Sequence, residues 1–213
     1  MTLFITSTGT DQGKSYVTRL LCYQLGGAYA IKPVISGFDV EDKQSDTELI
    51  LKASDSDLLL QECSPWRFKA PLSPDLAAQL EGKEIDFTEL VEFCSQEQVH
   101  IIEGAGGVMS PLTKNETNLD LIKQLQCDAL LVSSLYLGCI SHILTAVEVL
   151  KQRAVPLKAI ILTPVSPKNM AAEIILASLT PQLSPDIPIF TLEYDENLEQ
   201  NWINQPDLTS VSS

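Results

Sequence analysis

Leu3-Phe4-Ile5-Thr6-Ser7-Thr8-Gly9-Thr10-Asp11-Gln12-Gly13-Lys14-Ser15 is the stretch that decides the fold. Leu3–Thr6 is a short aliphatic and β-branched run that stops at a polar, glycine-bearing turn. An amphipathic helical pattern follows over Lys14–Leu25. A strand, a glycine turn and a helix opening on Gly-Lys-Ser form a cradle for phosphate: backbone N–H groups point inward and the helix adds its positive end. In such a cradle Lys14 reaches the β- and γ-phosphates of a nucleotide, and the Ser15 hydroxyl ligates Mg²⁺. One position departs from the strict pattern, with Thr8 where glycine is the rule. The plainer alternative is an ordinary strand–turn–helix connection with a hydroxyl cap.

Beyond that stretch, short apolar runs keep alternating with helical patterns. Strands are expected at Tyr29–Val34, Val99–Glu103, Ala129–Ser133, Lys158–Thr163 and Ile189–Leu192. Helices are expected at Lys14–Leu25, Asp46–Ala53, Pro74–Leu80, Phe87–Gln96, Leu119–Leu125, Ile140–Arg153 and Asn169–Leu179. In the helix from Ile140, the residues Ile140, Ile143, Leu144, Val147 and Leu150 share one face. This alternation predicts an α/β fold of P-loop NTPase type, a mostly parallel sheet with helices on both faces. A ligand then sits at the carboxyl ends of the strands. The expected organisation is one domain over residues 1–200 and a polar, loosely attached tail over 201–213.

Composition narrows the partners. With 14 Lys+Arg against 28 Asp+Glu the net charge is −14, a field that repels phosphate backbones and anionic lipid. Nucleic acid and membrane are therefore not expected partners. Cys22, Cys63, Cys94, Cys127 and Cys139 are odd in number and show no CxxC spacing, and only His100 and His142 are present. Neither a disulfide framework nor a zinc site is expected. The first residues have no basic n-region, and the apolar stretch Ala129–Ile140 is too short for a bilayer. The expectation is a soluble, cytoplasmic protein.

Two further elements carry chemistry. Lys32-Pro33-Val34-Ile35-Ser36-Gly37 puts a lysine near the end of a buried strand, which is costly unless it faces a cleft or an anion. Beside a phosphate loop it becomes a candidate second cation. Glu103-Gly104-Ala105-Gly106-Gly107 puts a carboxylate at the end of an apolar strand, the arrangement that holds an acid near Mg²⁺. Asp11 and Asp46 are lesser candidates, since acids are common at helix and loop starts.

These residues together resemble the dethiobiotin synthetase family. The resemblance is carried by the phosphate loop, Lys32-Pro33-Val34 with Ser36-Gly37, Ser45-Asp46, Pro71-Leu72-Ser73-Pro74, Glu103–Gly107 and Leu137-Gly138-Cys139-Ile140-Ser141-His142, in that order. It fades after about Leu162. It implies a P-loop α/β homodimer that uses ATP and Mg²⁺ to close a ureido ring on diaminopelargonic acid with CO₂. The products are dethiobiotin, ADP and phosphate, formed through a carbamate and a carbamic–phosphoric anhydride. By the same resemblance Thr10, Lys14 and Lys32 are catalytic, and Ser15, Asp46 and Glu103 surround Mg²⁺. ATP is expected to meet Asp11, Gln12, Gly13, Lys14, Ser15, Tyr16, Asp46, Glu103, Gly104, Ala105, Gly106, Thr163, Pro164 and Pro188. Ser36, Ser73, Gly138, Cys139 and Ser141 are expected to meet substrate, the last three reaching it from the partner subunit.

Three departures from the family pattern stand out. Ser7 stands where its loop begins with glycine, so strain from positive φ is expected there. Asp11 stands for a glutamate. Thr163-Pro164 replaces the Asn-Asp pair that helps read the base. Two rivals share the phosphate loop: a partner-binding switch ATPase, which uses a lysine early in the loop where residues 7–12 have none, and a nucleotide-binding module without turnover. Glutamine-dependent synthetases of cobalamin biosynthesis share the ATP site too, but the chain is short for their added domain.

Overall fold

The computed structural model describes residues 2–54, 58–164, 170–193 and 195–212. Strands are β1 (Leu3–Ser7), β2 (Ala30–Ile31), β3 (Val34–Ser36), β4 (Trp66–Phe68), β5 (Ile101–Glu103), β6 (Asp128–Ser134), β7 (Leu157–Thr163) and β8 (Ile189–Thr191). Helices are α1 (Lys14–Gln24), α2 (Asp46–Ala53), α3 (Leu60–Cys63), α4 (Pro74–Leu80), α5 (Phe87–Cys94), α6 (Asn118–Leu125), α7 (Cys139–Gln152), α8 (Ala172–Leu179) and α9 (Leu198–Asn201). Six strands form one parallel sheet in the order β2-β5-β1-β6-β7-β8. The alternation of strand and helix expected from the sequence is what builds it. Of the helix expected at Asn169–Leu179, the first residue lies outside the described residues and the rest begins at Ala172.

Side chains alternate along each strand and fill two cores, one on each face of the sheet. Phe4, Ile102, Leu131 and Leu162 point into a core closed by helices that include α5, α6 and α7. Leu3, Ile5, Ile101, Leu130 and Ile161 point into the other, closed by α1, α2 and the C-terminal segment. Period-2 burial on both faces is why these strands read as unbroken apolar runs.

The single strand expected over Tyr29–Val34 is two. Pro33 has no N–H for a ladder, and the chain breaks there. The Lys32 N–H donates to Cys63 O at 3.2 Å, and β3 leaves the main sheet to pair in parallel with β4, Val34 opposite Trp66. The break frees Lys32 to turn toward the cleft.

The expectation of a loosely attached tail fails for the described part of 201–213. Leu208 is fully buried and Val211 nearly so, both against the α1 face of the sheet. Gln24 of α1 fixes the segment, donating to Pro206 O at 2.8 Å and accepting from Leu208 N at 2.9 Å. Two well-placed aliphatics and a backbone clamp suffice to seat a polar stretch.

Candidate active site

The switch point of the sheet lies at β1, which is flanked by β5 and β6, and the cleft of about 920 Å³ opens there. After β1 the chain turns through Gly9 and enters α1 at Gly13, whose φ of 88° is left-handed. Asp11 is left-handed too, at 57°. Ser7 is not: it ends β1 in an extended conformation, so the strain expected at that position is absent. Its hydroxyl instead accepts from Lys14 Nζ at 3.1 Å and lies 2.6 Å from Gly9 O and 3.0 Å from Gly106 O. The loop after β5 nests on this one. Val108 N donates to Ser7 O at 2.9 Å, and a Cβ on Gly107 would come within 3.1 Å of Gly9 N and Ser7 O.

The charged centre joins three strand ends and two helices. Glu103 is fully buried at the end of β5. Its Oε1 accepts from Lys32 Nζ at 2.8 Å and from Ser15 Oγ at 2.7 Å, and its Oε2 accepts from Thr18 Oγ1 at 2.7 Å. Lys32 also pairs with Asp46 at the start of α2. Burial alone would pull the Lys32 ammonium toward neutrality, but Glu103 and Asp46 outweigh it and hold it well above the ordinary lysine value. The same pair works on Asp46: burial raises it, and Lys32 more than offsets this and holds the carboxyl below its ordinary value. Lys14 makes no ion pair among the described residues, and the pull of Glu103 and Asp46 on it is weaker. Burial first, then repulsion from Lys32, lowers it to about 8.

Thr10, Asp11, Gln12, Gly13, Lys14, Ser15, Tyr16, Lys32, Ser36, Asp46, Ser73, Glu103, Ala105 and Gly106 all line this one cleft. The Ser36 hydroxyl is buried there without a partner among the described residues. It can bond a ligand that enters the cleft. Four residues expected at the site are placed elsewhere. Gly104 is taken up by the sheet, its N–H on Ile5 O at 3.0 Å and its α-carbon packed on Phe4. Thr163 is buried behind the phosphate loop, and with Pro164 it does not line the cleft. Pro188 precedes β8 at the far end of the sheet and gives its carbonyl to Ile160 N at 3.0 Å, so it has no backbone group for a base. The carboxyl end of β8 is instead at Leu192-Glu193, where Glu193 O accepts from Tyr16 at 2.9 Å.

Gly138, Cys139 and Ser141 lie in a separate, mostly apolar depression with Tyr136, Leu144 and Met170. Leu137 beside it is 88% exposed. The sequence reading missed Arg19, Leu49 and Ser110 at the cleft and Thr18 beneath it. Arg19 stands four residues after Ser15 on α1, a spacing that puts both on one helix face. The five cysteines are free and buried. Burial pushes Cys22 up to about 12 and Cys63 and Cys127 to about 11, so none is a ready nucleophile.

The donors fit Mg²⁺. Two carboxylates and a hydroxyl converge, all hard oxygens, which is the small protein share expected where nucleotide phosphates complete the shell. No cluster of three or more His, Cys, Asp or Glu side chains forms a metal cage among the described residues.

A phosphate loop after the first strand of a parallel sheet, with an acid and a second lysine at neighbouring strand ends, defines a P-loop nucleotide-binding protein. A family model described as an AAA domain matches residues 1–189. The ATP-dependent dethiobiotin synthetase of Methylobacterium nodulans is 41% identical over 81% of this chain and 87% of its own length. That of Acidiphilium cryptum is 37% identical over 87% and 89%. The chain belongs to the dethiobiotin synthetase family. Among solved structures, the septum site-determining protein MinD of Pyrococcus horikoshii, complexed with Mg-ADP, is 16% identical over 98% of this chain and 88% of that one, with a TM-score of 0.49. So distant a likeness says nothing about activity. No helix among the described residues is long and apolar enough to cross a membrane.

Proposed function

We propose that this chain is an ATP-dependent dethiobiotin synthetase, a cyclo-ligase that joins diaminopelargonic acid and CO₂ into a ureido ring. The observation that carries the reading is the convergence of two lysines and two carboxylates on one cleft, in a chain with close relatives of that name. One substrate amine captures CO₂ as a carbamate. A carbamate oxygen attacks the γ-phosphorus of ATP and ADP leaves. The second amine then attacks the carbonyl carbon of the anhydride, phosphate leaves with that oxygen, and the ring closes. Both nucleophiles belong to the substrate, so the protein's work is positioning and charge.

Lys14 and Lys32 supply positive charge to the transferring phosphoryl group, and Thr10 and the loop N–H groups hold its oxygens. Ser15, Asp46 and Glu103 are the residues that would hold Mg²⁺, which neutralises phosphate charge when bound. Ser36, orphaned in the cleft, and Ser73 meet the diamine substrate. The exposed Leu137 and its apolar neighbours suit a homodimer in which Gly138, Cys139 and Ser141 reach the partner's site. A cytoplasmic setting would keep the five buried thiols reduced.

The test follows one oxygen. With ¹⁸O-labelled CO₂, one label per turnover should appear in the released phosphate, measured by mass spectrometry. Unlabelled phosphate, its new oxygen drawn from solvent water, would mean that ATP is simply hydrolysed.

A further inference from the structure

Gln12 and Thr163 are far apart in the chain and meet behind the phosphate loop. Thr163 closes β7 and is 2% exposed. Its hydroxyl donates to the Gln12 carbonyl at 2.7 Å. A Cβ at Gly13 would come within 2.8 Å of that hydroxyl, so the loop is pressed onto this side chain. The Gln12 side chain is held as well, its Oε1 accepting from the N–H and hydroxyl of Ser134 at 2.9 and 2.8 Å. Gln12 is thus gripped twice, its carbonyl from the end of β7 and its side chain from the end of β6.

The planarity of the peptide unit gives the grip its consequence. The Gln12–Gly13 peptide bond is trans, as is every peptide bond among the described residues, and in a trans peptide the C=O and the next N–H point in opposite directions. A Gln12 carbonyl held inward on Thr163 turns the Gly13 N–H outward, toward the cleft that Gly13 lines. N–H groups that face the cleft from such a turn are what bind phosphate.

We propose that Thr163 is a positioning residue of the phosphate loop: its hydroxyl orients the Gly13 N–H for the phosphates, and it strengthens binding of every nucleotide alike instead of reading the base. The proposal rests on the reading above that the cleft takes a nucleoside triphosphate.

Thr163→Val keeps the shape and removes the hydroxyl, while Thr163→Ser keeps the hydroxyl. Thr163→Ala gives the same comparison should valine not be accommodated. Calorimetric titration with ADP, GDP and inorganic tripolyphosphate, each with Mg²⁺, separates phosphate from base. The valine variant should bind all three about fivefold more weakly, the size of one neutral hydrogen bond, and the serine variant should bind within about twofold of the unaltered chain. Three outcomes overturn the proposal: weaker ADP binding with tripolyphosphate unchanged, no change with any ligand, or a serine variant as weak as the valine one. An unaltered chain that binds none of the three ligands would remove the proposed function and this inference together.

Discussion

Lys32 Nζ sits 2.8 Å from Glu103 Oε1, and both side chains are shut away from solvent. The same carboxylate oxygen accepts from Ser15, and Lys32 turns its other side to Asp46. An ammonium therefore bridges the two carboxylates that would hold a divalent cation. A buried lysine so paired stays charged, which is the state a developing phosphoryl charge requires.

Replacing that charge should stop the chemistry. Lys32→Met and Lys14→Met should each lower turnover by at least ~10²-fold, the scale of losing one preorganised electrostatic stabiliser. Lys32→Met also leaves Glu103 short of a partner, at a cost of up to ~3–5 kcal/mol. Turnover is therefore measured below the variant's own unfolding transition. A folded Lys32→Met enzyme with normal kcat removes Lys32 from the mechanism.

Base selectivity should be modest. Reading adenine takes a donor and an acceptor side by side. Thr163 has spent its hydroxyl on Gln12 O, and Pro164 has no N–H. ATP should be preferred over GTP and CTP by roughly one to two orders of magnitude in kcat/KM, the discrimination left without a matched polar pair. Comparison of the four nucleoside triphosphates checks this. A preference beyond about a thousandfold would show that another group reads the base.

Assembly should matter for activity. Leu137 stands 88% exposed beside an apolar depression formed by residues that include Tyr136, Ile140, Leu144 and Met170, and such a patch is usually covered. A homodimer with two equivalent sites is expected in sedimentation at assay concentration. Leu137→Asp should shift it toward monomer and lower activity. An active monomer rules out a site shared between subunits.

Asp120 sets one limb of the stability–pH profile. Its Oδ2 accepts from the N–H and hydroxyl of Thr117 at 2.9 and 2.7 Å, capping α6, and its Oδ1 accepts from Arg153 at 2.6 Å. Burial opposes ionisation, but these partners outweigh it and hold the carboxyl below its ordinary 3.8. A depressed folded value means that the stabilisation is complete above 3.8 and is lost as pH falls through the folded value. Asp120→Ala should cost ~1 kcal/mol at neutral pH, as loss of a cap does. Urea unfolding should show that gap narrowing in acid, and a gap of constant size would contradict the assignment.

How much of this could be read from the sequence follows from how local each feature is. The phosphate loop was legible because glycine, lysine and serine act within one turn, and Lys14 and Ser15 stand where that turn puts them. Glu103 and Lys32 were legible because a charge at the end of an apolar run needs a reason, and each turned out to be the other's partner. The small β3–β4 sheet was not, since Trp66–Phe68 is three residues long and pairs only because Pro33 breaks the strand before it. The clamped end of the chain was hidden for a similar reason: Leu208 and Val211 are two isolated aliphatics whose burial depends on α1. In the sequence Thr163 stands out only for what it lacks toward a base. Its bond to Gln12 spans 151 residues, and no pattern along the chain encodes it.

The most direct measurement is ADP release by the purified chain with Mg²⁺-ATP, in the presence and absence of diaminopelargonic acid and bicarbonate, with dethiobiotin quantified alongside. ADP release should require both co-substrates and match dethiobiotin one for one. ADP released at the same rate without diaminopelargonic acid would mark a switch ATPase, and nucleotide binding without any ADP release would mark a module without turnover; either result contradicts a ligase built on Lys14, Lys32 and Glu103.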